Sequence, residues 1–163
     1  MNIKLLSLSD SSAILDFELK NRDWFQKYVP PRKGDYFEPD SIKQIVKKLV
    51  QGQDRKEHIM FVVYNEGTLL ARINFTLLSN NSAEIAYRVC ESVTGSGFAR
   101  KAVYKALNIV KNEYGIIKLK AKTTGNNIKS RVILDKLGFI FKEIKMNAIE
   151  INGKKQDFVY YEL

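Results

Sequence analysis

The stretch Thr94-Gly95-Ser96-Gly97-Phe98-Ala99-Arg100 brings glycines, hydroxyls and a cation together in one short run. Glycine tolerates positive φ, and its missing Cβ lets a backbone approach a ligand closely. Where such a turn opens a helix, the unpaired N–H groups of the first turn and the positive end of the helix dipole converge on one spot, which suits phosphate. The stretch is read as a pyrophosphate cradle; the alternative is a helix-starting turn that binds nothing. Two familiar phosphate loops do not fit. A dinucleotide fingerprint needs a third glycine where Arg100 stands, and a P-loop needs Gly-Lys-Ser/Thr.

The flanking residues supply the elements that would position this loop. Residues 83–89 alternate and are rich in strand formers, which predicts a strand running into the turn. Ala99, Ala102, Val103, Ala106, Leu107 and Val110 recur at helical spacing, with Gly115 as the stop. Upstream, residues 2–7 read as a strand, and Ser9 or Asp10 caps a helix through about residue 22. A loop is expected at 30–34, and Asp40 precedes a helix to about residue 50. Strands at 58–64 and 68–78 flank Asn65-Glu66-Gly67, a hairpin signal. Asn80-Asn81-Ser82 turns into the strand before the loop. Downstream come a strand at 116–123, a helix carrying Ser130, and strands at 141–151 and 154–161 around Asn152-Gly153. With no repeat or linker, 163 residues are most economically one mixed α/β domain spanning 1–163.

Composition narrows the function classes. There is no apolar run of membrane-spanning length, and residues 1–6 lack the apolar stretch of a secretory leader, so none is expected. Cys90 is the only cysteine, so no internal disulfide forms, and the cytoplasm is the expected compartment. His58 is the only histidine and reads as the opening of a strand, so no metal site is expected. The net charge of +9 suits a polyanionic partner such as ribonucleoprotein. The competing explanation is solvated lysine-rich faces, since 20 lysines are spread along the chain against 7 arginines. No nucleic-acid-binding motif is visible.

A second segment, Asn126 to Phe139, lies just after the strand at 116–123. With it, the chain resembles the GNAT acyltransferase superfamily. The family's cofactor loop, Q/R-x-x-G-x-G/A, is matched by Thr94-x-x-Gly97-x-Ala99. Its next helix carries N-x-x-(A/S) and ends in a Leu-Gly-Phe turn, matched by Asn127-x-x-Ser130 and Leu137-Gly138-Phe139. Within the family the chain looks most like the RimJ/RimL branch of ribosomal-protein N-terminal acetyltransferases. Ala83-Glu84-Ile85-Ala86-Tyr87-Arg88 is close to that branch's A-E-I-G-Y, and Asn21-Arg22-Asp23-Trp24 resembles its asparagine-plus-aromatic acceptor segment. Two positions depart from the family. Thr94 replaces a long Gln or Arg, and Leu134 stands where many members carry a tyrosine acid.

The resemblance implies a mostly antiparallel twisted sheet, splayed between its fourth and fifth strands and flanked by helices, with acetyl-CoA as cofactor. It implies that backbone groups of Tyr87, Arg88 and Val89 pair with the pantetheine arm. Thr94, Gly95, Ser96, Gly97, Phe98, Ala99 and Arg100 would hold the pyrophosphate. Asn127 would contact the arm, and Ser130 would approach the sulfur. Glu84 is the candidate base, acting directly or through a water. Asn21, Trp24 and Tyr28 are the candidate acceptor-binding residues, with Phe25 and Tyr36 nearby. Cys90 has no histidine partner in local sequence and is expected to be structural. The expected acceptor is the α-amine of a protein, in a monomer or homodimer, with the basic surface either docking on the ribosome or simply solvated. A small amine such as a polyamine or antibiotic, or a non-catalytic acyl-CoA-binding module, stands as the alternative.

Overall fold

The computed structural model describes residues 1–32, 34–79 and 81–163. Lys33, in the expected loop at 30–34, and Asn80, in the expected turn, lie outside the described residues. Seven strands form a single sheet in the order β1-β2-β3-β4-β5-β7-β6. They are β1 (Asn2–Leu5), β2 (His58–Asn65), β3 (Thr68–Ser79), β4 (Ser82–Val89), β5 (Lys118–Thr124), β6 (Ile140–Ile151) and β7 (Lys154–Glu162). Every neighbouring pair is antiparallel except β4 and β5. The helices are α1 (Ser11–Lys20), α2 (Arg22–Gln26), α3 (Pro39–Asp54), α4 (Phe98–Tyr114) and α5 (Ile128–Lys136).

Alternation along the strands divides the core into two layers. Ile73, Phe75, Ile85 and Leu119 pack with Val103, Leu107 and Val110 of α4 and Leu134 of α5. On the other face, Met60 and Val62 pack with Ile14 and Phe17 of α1, Phe25 of α2, and Ile42 and Val46 of α3. The sheet is thus covered by α4 and α5 on one side and by α1–α3 on the other. Among the described residues no helix is long and apolar enough to cross a membrane.

The splay that the site requires is present. β4 and β5 pair in parallel only from Ser82↔Lys118 to Ile85↔Ala121, although both strands continue further. Beyond Ile85, β4 keeps β3 as its partner through Val89, and β5 keeps β7. A cleft opens between them.

Three expected helix boundaries shift. The first helix breaks at Asn21, where φ is −113° and ψ is 16°. The Asn21 side-chain amide donates back to the Phe17 carbonyl at 2.8 Å, sharing that acceptor with its own backbone N–H at 3.3 Å, and the chain restarts as α2. The helix expected after Asp40 starts two residues earlier, because Pro39 suits a first helical position and holds Glu38 extended. That helix also continues to Asp54. There the Gln53 side chain bonds the Leu6 carbonyl and the Met60 N–H, both at 3.0 Å, tying the helix end to β1 and β2. Both expected two-residue hairpin turns form, with positive φ at Glu66–Gly67 and at Asn152–Gly153.

Candidate active site

The splayed strands, α2, α5 and the start of α4 enclose a cavity of about 490 Å³. Twelve of the expected site residues line it: Trp24, Tyr28, Tyr87, Arg88, Val89, Thr94, Gly95, Gly97, Ala99, Arg100, Asn127 and Ser130. The loop between β4 and α4 follows the glycine argument. Gly95 and Gly97 have φ of +83° and +79°, with nothing within 4 Å of where a Cβ would stand. These positions therefore need glycine for backbone conformation and for free approach to the loop. Gly97 is the cap residue of α4 and has no side chain to satisfy the first-turn N–H groups, which leaves those of Ala99 and Arg100 for a ligand.

Ser96 and Phe98 do not line the cavity. The Ser96 hydroxyl donates to the Val93 carbonyl at 2.8 Å and accepts the Phe98 N–H at 3.3 Å, so both groups serve the loop's own fold. The Phe98 ring packs on the core.

Hydrogen bonding along β4 decides which peptide groups face the cleft. The Cys90 N–H donates to the Leu70 carbonyl on the β3 side at 2.9 Å. Alternation then turns the peptide groups of Arg88 to β3 as well, and those of Tyr87 and Val89 to the cleft. Arg88, expected to pair through its backbone, instead meets the cavity through its side chain. The Val89 carbonyl accepts the Trp24 indole N–H at 3.2 Å. The N–H groups of Tyr87 and Val89 remain directed at the space where an extended ligand would add like a strand.

Asn127 caps α5, its side-chain oxygen accepting the Ser130 N–H at 3.2 Å. That bond orients the Asn127 amide nitrogen away from the helix. The Ser130 hydroxyl sits 2.9 Å from the Tyr87 hydroxyl, which also lies 3.3 Å from the Ser130 carbonyl. Burial pushes the Tyr87 phenol up to about 12, with the Ser130 hydrogen bond opposing, so it stays protonated at neutral pH. Leu134, at the position where a tyrosine acid was excluded, is buried in the core.

Two further expected residues lie away from the cavity. Asn21 is 6% exposed and fully engaged. Its amide nitrogen reaches Phe17 O and Cys90 Sγ (3.2 Å), and its oxygen accepts the Glu91 N–H (3.0 Å). It joins α1–α2 to the end of β4. Glu84 does not line the cavity either. It stands three residues before Tyr87 and so points from the opposite sheet face, where Lys122 lies 3.1 Å from its carboxylate. Any proton it took from an amine in the cleft would travel through water. Cys90 is buried, and burial raises its thiol pKa, in keeping with a structural role.

The sequence reading missed the cavity face of α5. Lys129, Val132, Ile133 and Lys136 line it, spaced three and four apart in a stripe that helical periodicity alone would have shown. Lys129 Nζ lies 4.5 Å from the centroid of the Trp24 ring, and Lys27 Nζ lies 5.1 Å from it, so the indole carries two cations.

Residues 2–140 match the GNAT acetyltransferase domain. The chain belongs to the GNAT acetyltransferase family. It is accordingly an N-acetyltransferase, and acetyl-CoA is its cofactor. The Bacillus subtilis protein YjcK, named a probable N-acetyltransferase, is 21% identical over 160 residues, covering 95% of this chain and 88% of YjcK. The fold is that of the ribosomal-protein-S5-alanine acetyltransferase of Vibrio fischeri, with TM-score 0.91 and 23% identity over 99% of this chain and 91% of that one. It is equally that of RimL, a ribosomal L7/L12 α-N-protein acetyltransferase in complex with coenzyme A. There the TM-score is 0.89 and the identity 18%, over 100% of this chain and 94% of that one.

The residues present fit the family's cofactor. A glycine-lined helix start with open N–H groups, flanked by Arg100 on α4 and Lys136 on α5, suits a pyrophosphate. The cleft-facing N–H groups of Tyr87 and Val89 suit an amide-bearing arm. Bound acetyl-CoA supplies an acetyl group activated as a thioester. Against that group the chain would contribute binding, peptide N–H donors placed to polarise a carbonyl, and the Ser130 hydroxyl as a donor towards a departing sulfur.

Proposed function

We propose that this GNAT enzyme acetylates the α-amino group of a protein chain, of the ribosomal-protein type. The observation that carries this reading is the charge of the cavity wall. Arg88, Arg100, Lys129 and Lys136 line it, and among the described residues no carboxylate does. A polyamine or an aminoglycoside carries several positive charges and would be repelled. Glu18, the buried carboxylate beside the acceptor segment, is neutralised by Arg72 at 2.5 Å and Arg88 at 2.7 Å.

An α-amine suits such a site because it is easily neutral. Its pKa of ~7.7–8.0 means that deprotonation at pH 7 costs about 1 kcal/mol, against about 4–5 kcal/mol for a lysine at ~10.4. A remote carboxylate acting through water, Glu84, is then base enough. The aromatic pair Trp24 and Tyr28, with centroids 5.3 Å apart, would flank the entering chain. The net charge of +9 supports docking on a polyanionic assembly such as the ribosome.

The test is thiol release from acetyl-CoA with three acceptor pools: peptides with free N-termini, polyamines and aminoglycosides. Turnover confined to peptides is the expected result. Turnover confined to the small amines would overturn the proposal.

A further inference from the structure

Arg88 and Arg72 converge on one carboxylate. Glu18, 1% exposed on α1, receives Arg72 Nη1 through one oxygen and Arg88 Nη1 through the other. Two guanidinium groups on one anion leave a positive charge unbalanced in a half-buried setting. Among the described residues, the other N–H groups of Arg88 donate to nothing. The Arg88 guanidinium is held in place, stacked 5.0 Å from the Phe25 ring centroid, and it forms part of the cavity wall. Arg32 shares a small adjoining hollow with Arg88 and is itself stacked on Tyr36 at 4.8 Å. This cationic site lies on the sheet face covered by α1 and α2, beside Trp24. The cations suited to phosphate, Arg100 and Lys136, stand on α4 and α5.

We infer that Arg88, assisted by Arg32, is a carboxylate-binding subsite for the acceptor, so that the preferred substrate carries an acidic group close to the amine. A preorganised, partly desolvated guanidinium with free donors matches a planar carboxylate in two parallel hydrogen bonds. Such a carboxylate would neutralise the excess charge that Glu18 leaves. Two sources supply the group: an acidic side chain in the first few residues of a protein, or the α-carboxylate of a free amino acid. The first rests on the α-amine reading above.

The experiment compares wild-type kcat/KM on short peptides that differ only by Glu against Gln, or Asp against Asn, at the second to fourth positions, alongside free amino acids. Acidic peptides are expected to exceed their amide counterparts about tenfold, the size of one charge-assisted hydrogen bond. In Arg88→Gln the ratio should fall towards one while KM for acetyl-CoA stays within about twofold. Arg32→Ala, an exposed change that keeps the fold, should reduce the ratio in part and keeps the test valid if Arg88→Gln proves unstable. Preferential turnover of free amino acids would support the subsite and overturn the protein-chain reading. Equal rates on acidic and amide peptides would overturn the subsite and leave the α-amine reading standing. A raised acetyl-CoA KM in Arg88→Gln with the acidic preference intact would reassign Arg88 to the cofactor and also overturn it.

Discussion

The Tyr87 hydroxyl lies 2.9 Å from the Ser130 hydroxyl, linking β4 to α5 across the splayed cleft. A phenol carries one hydrogen. If it donates to Ser130 Oγ, the serine's own hydrogen is free to point into the cavity. Tyr87→Phe keeps the ring and removes that donor, so kcat should fall about tenfold with KM for acetyl-CoA little changed. In a Ser130→Ala background the same change should have no further effect, because residues that act as a unit are not additive. Steady-state kinetics on the four variants of the cycle checks this; independent, additive losses would count against the coupling.

Tyr87 also makes a pH prediction. Burial raises its folded pKa to about 12, above the ordinary value of 10.0. The folded state therefore favours the neutral phenol, and this contribution is fully present below pH 10. It is lost as pH climbs from about 10 to about 12, by about 2–3 kcal/mol. Melting temperature followed from pH 9 to 12 should drop more steeply for wild type than for Tyr87→Phe.

Gly97→Ala places a side chain at φ +79° where no neighbour obstructs it. The penalty is then conformational, about 1–2 kcal/mol. Relaxing that strain would turn the first N–H groups of α4 away from the cleft. Acetyl-CoA affinity, measured as the cofactor-dependent rise in melting temperature, should weaken at least tenfold. An unchanged rise would mean that the loop does not hold the cofactor.

Glu18→Ala removes the anion between Arg72 and Arg88 and leaves two half-buried cations facing each other. A loss of about 3–5 kcal/mol in unfolding free energy is expected from denaturant titration. Asn21→Ala should cost less, about 1–3 kcal/mol, by orphaning the Glu91 N–H. Its kinetic effect should come through Trp24 on the adjoining helix.

Glu84→Gln tests the water-mediated base. The change should lower kcat/KM for peptides most below the pKa of the α-amine, where deprotonation is rate-determining, and much less above pH 8. A uniform or absent effect across pH 6–9 would remove Glu84 from the mechanism.

Much of the site was legible because it depends on local chain geometry. Gly95 and Gly97 announce positive φ before a helix, and Asn127 announces a cap three residues before Ser130. The separation of Glu84 from Tyr87 was also legible: an odd spacing on a strand puts two side chains on opposite faces. The stripe of Lys129, Ile133 and Lys136 was available by the same kind of counting. The shifted helix ends were not. At the break, Asn21 is held by Cys90 and Glu91, some seventy positions on, as well as by its own helix. No local signal carries that.

The sequence by itself determined the order of elements, the glycine loop, the pairing of Asn127 with Ser130 and the family, since each is written in the spacing of residues along one strand or helix. Tertiary structure alone decided that Arg88 turns its peptide to β3 and its guanidinium to Glu18, and that Tyr87 reaches Ser130. Those contacts join residues 43 and 70 positions apart. They exist because β4 parts from β5 after Ile85, leaving α1 and α5 to meet the last residues of β4 from opposite faces.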